Sequence, residues 1–153
     1  MFPPSFMAFL HHVLAFTIVA VVAVQVVMFK PPLTAALARR IQITDRIYGL
    51  AALFMLIVGF LRVFYFEKGA AYYFHNSYFH LKLTLFIVLG LASVYPTMLF
   101  ISWNRALKAG GVPDITPSQT KRARMCLMIE LTAILGILFA ASYMADGLGY
   151  FGD

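Results

Sequence analysis

Residues 6–29 read FMAFLHHVLAFTIVAVVAVQVVMF, an apolar run that contains no Asp, Glu, Lys or Arg. A helix needs about 20 mostly apolar residues to cross the hydrocarbon layer of a bilayer, so this stretch predicts a transmembrane helix. The rest of the sequence has the same character, because 62% of the 153 residues are hydrophobic and only 12% are charged. A soluble enzyme of this length could not bury so much apolar surface. We therefore expect an integral membrane protein.

Three further apolar stretches, at residues 45–66, 78–103 and 125–145, are also long enough to span a bilayer. Helix-breaking segments separate the spans: Lys30-Pro31-Pro32, Glu67-Lys68-Gly69 and Gly110-Gly111-Val112-Pro113. The sequence therefore predicts an all-α fold, an antiparallel four-helix transmembrane bundle that forms one domain over residues 1–153.

The basic residues predict the orientation of this bundle, since cytoplasmic loops of membrane proteins collect Lys and Arg. Most of the 12 cations flank the first and third connections: Lys30, Arg39, Arg40, Arg46, Arg105, Lys108, Lys121, Arg122 and Arg124. Both termini are therefore expected outside, on the periplasmic side of a bacterial inner membrane. The net charge of +6 is explained by topology, and we expect no nucleic-acid partner.

Seven polar side chains fall inside the predicted spans, where ionisable groups are costly and are functional candidates by default. They are His11, His12, Gln25, Arg62, His80, Lys82 and Glu130. The three histidines, Arg62 and Lys82 converge at one level near the outer side, whereas Gln25 and Glu130 belong to the cytoplasmic half. At about 100° per residue His11 lies on the same helical face as Gln25, so it is the better inward-facing candidate of the two adjacent histidines.

This grouping suggests a site for haem b. A haem inside a four-helix bundle needs axial imidazoles from two helices, an apolar slot for the ring, and cations near its propionates. His11 and His80 are the candidate ligands of the haem iron, with His12 as the alternate for His11. Arg62 and Lys82 are the candidate partners of the propionates.

Simpler interpretations remain open for the same residues. Side chains of His, Arg and Lys near a membrane interface can reach the lipid headgroups and bind nothing. A zinc site would need Glu67 or Asp146 to join the histidines. Glu130 either exchanges protons or contacts a quinol, or it is neutralised by a neighbouring polar side chain: Arg46, Tyr48 or Gln25.

Two families resemble this sequence. The segments DRIYGL (residues 45–50), RVFYFEKG (62–69), Lys82-Leu83 and SVYPT (93–97) resemble DUF2214, a family of predicted four-span bacterial membrane proteins. More distantly, a histidine in the first helix, RIY at residues 46–48 and HLKL at 80–83 resemble HemJ-type protoporphyrinogen oxidases. The second resemblance implies haem b at the histidines and porphyrin handling at Lys82.

The first functional hypothesis is a small membrane redox protein that carries one haem b, or another porphyrin, near the outer leaflet. It would exchange electrons with quinone or with a larger membrane redox complex. If the protein is an enzyme, the resemblance implies a HemJ-like membrane oxidoreductase. The alternative is a non-catalytic structural or assembly subunit of a larger membrane complex, in which the same polar side chains only fix the bundle.

Overall fold

The computed structural model describes residues 3–66 and 69–152, and these residues are almost entirely helical, without a β-strand. Glu67 and Lys68, which belong to the predicted helix-breaking segment after the second span, lie outside the described residues. The helices, in chain order, are α1 (Pro4–Met28), α2 (Ala35–Leu61), which continues into a π-helical turn (Arg62–Phe66), α3 (Ala70–Phe74), α4 (Ser77–Ser102), α5 (Asn104–Lys108) and α6 (Pro117–Ala145).

Four helical segments are long and apolar enough to cross a membrane, which confirms the predicted four-span bundle. They are Pro4–Met28, Ala35–Phe66, Ser77–Lys108 and Pro117–Ala145. Their outward surfaces carry large apolar side chains, for example Phe16, Leu91 and Leu135, as contact with lipid requires. We call the end of the bundle that holds Pro4 and Ala145 the termini end, and the opposite end, where the Arg- and Lys-rich connections lie, the basic end.

Two helices begin well before the predicted spans. Helix α2 starts at Ala35 and not at residue 45, because Thr34 caps it and accepts a hydrogen bond from Leu37 N at 3.1 Å. Helix α6 starts at Pro117 and not at residue 125, behind a reciprocal capping box between Thr116 and Gln119. Basic residues follow the first turn of each helix, Arg39 and Arg40 in α2 and Lys121 and Arg122 in α6, and they lower the local hydropathy without breaking the helix, so the hydropathy pattern alone places these starts too late.

The four long helices are arranged as two hairpins, as predicted. Helix α1 packs along α2 and helix α4 packs along α6, whereas contacts between the two hairpins are sparser. The α4–α6 contact is tight at Gly136, where a Cβ would lie 2.7 Å from Leu85 Cδ1. A seam between the hairpins is therefore the loosest part of the bundle.

The C-terminal segment closes the termini end. Ser77 N donates to Gly149 O at 2.8 Å, and Phe151 N donates to His75 O at 2.9 Å. Gly149 has φ of 81°, and a Cβ there would lie 2.5 Å from Tyr78 Cδ2, so the segment can approach α4 this closely only because the residue is glycine. The segment ties the start of α4 to the end of the chain.

Candidate functional site

A cavity of about 490 Å³ opens along the seam at the termini end. Its size lies in the range of small-molecule sites, about 300–1,000 Å³. All four long helices, the π-helical turn and α3 contribute to it. Most of its wall is apolar, including Ile18, Met55, Phe86, Leu89, Ile134 and Ile137. We call it the termini-end cavity.

Four of the five predicted site residues line this one cavity: His11, His12, Arg62 and Lys82. His11 is half-buried and His12 is exposed, which agrees with the helical-face argument that turns His11 inward. The Nδ1 atom of His11 is fully buried and makes no hydrogen bond within the described part of the chain. Arg62 and Lys82 lie close enough to interact electrostatically with the His11 ring. Three segments of the bundle thus bring two imidazoles and two cations to a common apolar space.

The local sequence explains how His11 is accommodated. Gly59 faces it from α2, and a Cβ on Gly59 would lie 3.8 Å from His11 Cε1, in ordinary van der Waals contact with the ring. Gly59 lies on the same face of α2 as Tyr48 and Ala52, and these residues are buried or half-buried. The π-helical turn begins at Arg62 and changes the helix register there; such turns are frequent at functional sites.

His80 is the predicted site residue that the structure places elsewhere. It is exposed, its Nε2 lies 2.9 Å from Phe74 O, and its ring stacks on Phe151 with centroids 6.5 Å apart. Thr84, Ile87 and Leu91, on the same face of α4, are also exposed, so this face points away from the bundle. The neighbouring face, about 100° round the helix, carries Phe79, Leu83 and Phe86 into the cavity. The structure therefore does not bring His80 and His11 together as a ligand pair.

The cavity also contains two tyrosines that the sequence does not predict as site residues. Tyr72 and Tyr73 line the cavity from α3. Tyr73 packs on Phe79 and Tyr72 stacks on Tyr150, with centroids 5.5 and 5.2 Å apart. Their positions depend on the short helix α3, which the sequence pattern does not reveal.

The histidines have no carboxylate that would complete a zinc site within the described residues. Asp146 is absent from the cavity wall, and Glu67 lies outside the described residues. In residues 3–66 and 69–152, no group of three or more His, Cys, Asp or Glu side chains is placed to hold a metal ion.

A second polar feature lies toward the basic end, where each of the four long helices contributes a polar side chain. Gln25 Nε2 and Thr97 Oγ1 donate to Asp45 Oδ1, at 3.5 and 3.0 Å. Tyr48 and Glu130, 4% and 1% exposed, complete the group. We call these five residues the polar cluster. Sequence reasoning missed Asp45 because the predicted span began at that residue, whereas α2 carries it well inside the helix.

Glu130 has no basic partner in this cluster. Neither Glu130 nor Asp45 forms an ion pair with a Lys or Arg among the described residues, and Gln25 is engaged by Asp45. Of the three predicted neutralising neighbours, Tyr48 is the one that interacts with Glu130. The Tyr48 hydroxyl and Glu130 Oε1 are buried without a hydrogen bond of regular geometry in the described structure. Two buried polar atoms of the cluster thus lack regular hydrogen bonds, which costs free energy inside a membrane.

The family model for DUF2214, described as a predicted membrane protein, matches residues 4–149. The chain belongs to the DUF2214 family. No curated protein and no solved structure matches it. The match covers both hairpins of this DUF2214 protein, the termini-end cavity and the polar cluster, and together with the four apolar helices it shows a multi-pass membrane protein. The family description names no ligand, so the function has to be argued from the site.

Proposed function

We propose that this DUF2214 protein binds one flat anionic macrocycle, haem b or a related porphyrin, in the termini-end cavity and acts in membrane electron transfer. The observation that carries the proposal is the meeting of His11, Arg62 and Lys82, from three segments of the bundle, in one apolar cavity. An apolar wall suits the ring of a porphyrin, and two cations suit its carboxylate groups.

The residues present fit a haem with one protein ligand. The buried Nδ1 of His11, which lacks a partner within the described residues, shows that this imidazole is not committed to the protein's own hydrogen bonds. His12 also lines the cavity but is adjacent in sequence, so its side chain points about 100° away from that of His11. We therefore assign the iron to His11, keep His12 as the alternate, and propose no ligand role for His80.

The other cavity residues would position the macrocycle. Arg62 and Lys82 would hold the propionates, while Gly59 lines the cavity beside His11. When bound, haem supplies reversible one-electron chemistry, and its potential is set by the axial ligand and by nearby charge. The partner that we propose is quinone or a larger membrane redox complex in a bacterial inner membrane, with the termini end facing outward.

The test is the visible spectrum of the detergent-purified protein, oxidised and dithionite-reduced, with a pyridine haemochrome assay for stoichiometry. We expect a Soret band and about one haem per chain. His11→Ala should remove most of the colour, and the matched His80→Ala variant should keep it, because His80 lies outside the cavity. Circular dichroism of both variants checks that the bundle is intact.

Two results would count against the proposal. The first is a protein that stays colourless after expression with a haem precursor, which would favour the alternative function as a structural or assembly subunit. The second is loss of haem from His80→Ala but not from His11→Ala or His12→Ala, which would place the macrocycle away from the termini-end cavity.

A further inference from the structure

A groove of about 650 Å³ runs between α2 and α4 near the basic end, separate from the termini-end cavity. Contacts between these two helices are sparse, so they leave a gap along their length. The rim of the groove includes Gly49, Val94, Met98 and Ile101, all of which are exposed, and the exposed Arg46 lines it as its one charged side chain outside the polar cluster among the described residues. In a membrane-spanning bundle, such an apolar rim faces the lipid. A compound entering here would therefore come from the bilayer and must be lipid-soluble.

The floor of the groove is polar. Asp45, Tyr48 and Thr97 of the polar cluster line it, and Ser93 lies beside the Tyr48 hydroxyl. The Tyr48 side chain is 4% exposed, and its hydroxyl makes no hydrogen bond of regular geometry within residues 3–66 and 69–152. Asp45 receives both of its hydrogen bonds on Oδ1, and the described structure gives Oδ2 none. The floor thus offers a carboxylate acceptor, and the Tyr48 hydroxyl lies buried beside it, next to Glu130 and Ser93.

We propose that this groove binds the head group of a lipid-soluble quinone or quinol. A quinone has two carbonyl oxygens on a flat ring, and its reduced form has two hydroxyls in the same places. Asp45 Oδ2 would accept from a hydroxyl of the reduced ring, and the Tyr48 hydroxyl, once its proton turns from Glu130 toward the groove, would donate to a carbonyl of the oxidised ring. Gly49, which has no side chain, leaves width for the ring between the helices. The inference rests on the proposed function for its redox role, since a quinol would be the electron donor, but binding itself requires no haem.

Position 49 allows a sharp test. A Cβ at Gly49 would meet nothing within 4 Å, so Gly49→Leu fills the groove without disturbing the packing. Gly90 on α4 is equally open and exposed, and it does not line the groove. Gly90→Leu is therefore the matched control. Tyr48→Phe removes the proposed donor and keeps the ring.

Trp103 is the single tryptophan and provides the signal. It packs on Phe100, which lines the groove, with ring centroids 5.0 Å apart. Decylubiquinone, an oxidised quinone that quenches tryptophan fluorescence, would be titrated into the protein in lipid nanodiscs. We expect saturable quenching in the parent protein and in Gly90→Leu, no saturable phase in Gly49→Leu, and affinity weaker by about tenfold in Tyr48→Phe. Decylubiquinol should displace the oxidised probe from the parent protein and do so less well in Asp45→Asn.

The same preparations separate this inference from the proposed function. Quenching that is unsaturable, or equal in all variants, would overturn the groove as a quinone site, and so would saturable quenching that Gly49→Leu leaves intact. Haem content is read independently from the Soret absorbance. A protein that contains haem but shows no saturable quenching would contradict only this inference. A protein that shows saturable quenching but contains no haem would contradict only the proposed function.

Discussion

Replacing Asn76 by Ala removes three hydrogen bonds at the termini end. The Asn76 side chain is 0% exposed, and its Oδ1 accepts from Tyr78 N and Phe79 N at 2.9 and 3.2 Å, which caps α4. Its Nδ2 donates to Leu148 O at 2.9 Å, which holds the C-terminal segment. Loss of a helix cap costs about 1 kcal/mol, and loss of the bond to the carbonyl costs about 1 kcal/mol more. We therefore expect the free energy of unfolding to fall by about 2 kcal/mol.

Two further variants isolate these contributions. Thr116→Ala removes an equivalent cap from α6, where no bond to another segment depends on it, so it should cost about 1 kcal/mol. Asn76→Asp keeps the acceptor of the α4 cap but places a buried carboxylate oxygen against the Leu148 carbonyl, so it should be at least as destabilising as Asn76→Ala. Stability would be measured by titrating dodecyl maltoside micelles with SDS and following helical circular dichroism. If Asn76→Ala is no more destabilising than Thr116→Ala, the bond to Leu148 contributes nothing and the reasoning is refuted.

Three other predictions follow from the fold. Thr97→Val removes the 3.0 Å hydrogen bond to Asp45 and should lower the SDS midpoint by an amount equivalent to about 0.5–1.5 kcal/mol. The control Thr84→Val, on the exposed face of α4, should leave the midpoint unchanged. Equal midpoints in the two variants would contradict the role of the polar cluster in stability. Gly136→Val forces Leu85 to move and should cost about 1–3 kcal/mol in the same assay, while Gly90→Val meets open space; a neutral Gly136→Val would mean that the hairpin is less tightly packed than described. The third prediction concerns orientation and uses a Cys126→Ser background, which removes the native cysteine. A cysteine placed at Gly152 should react with a membrane-impermeant maleimide on intact cells, whereas one placed at Ser118 should not. The reverse labelling pattern would show that the predicted orientation is inverted.

Hydropathy was sufficient to predict the four spans, because membrane insertion depends mainly on length and apolar character. It was not sufficient to place the start of α2. Arg39 and Arg40 interrupt the apolar pattern, yet Arg39 Nη2 donates to Leu107 O and lies on the helix all the same. Because of that error the sequence could not reveal Asp45 as a buried residue.

The candidate site could also be predicted only in part. The face of α1 could be chosen from the sequence because Gln25 marks the inward side of His11. On α4 the face of His80 has no second buried polar group, and Thr84, Ile87 and Leu91 fit lipid as well as they fit a core. Which face of an all-apolar helix turns inward is decided by the shape of its partner, here the close contact of Leu85 with Gly136, and that information is not local.

The division into two hairpins also bears on biosynthesis. Each hairpin makes most of its helix contacts within itself, so the first can leave the translocon complete before the second has been synthesised. The walls of the termini-end cavity come from both hairpins, and they exist only once the halves have docked. A bulky ligand can then be delivered to an open half-site on the α1–α2 hairpin and enclosed when α4 and α6 arrive, without passing through a finished bundle.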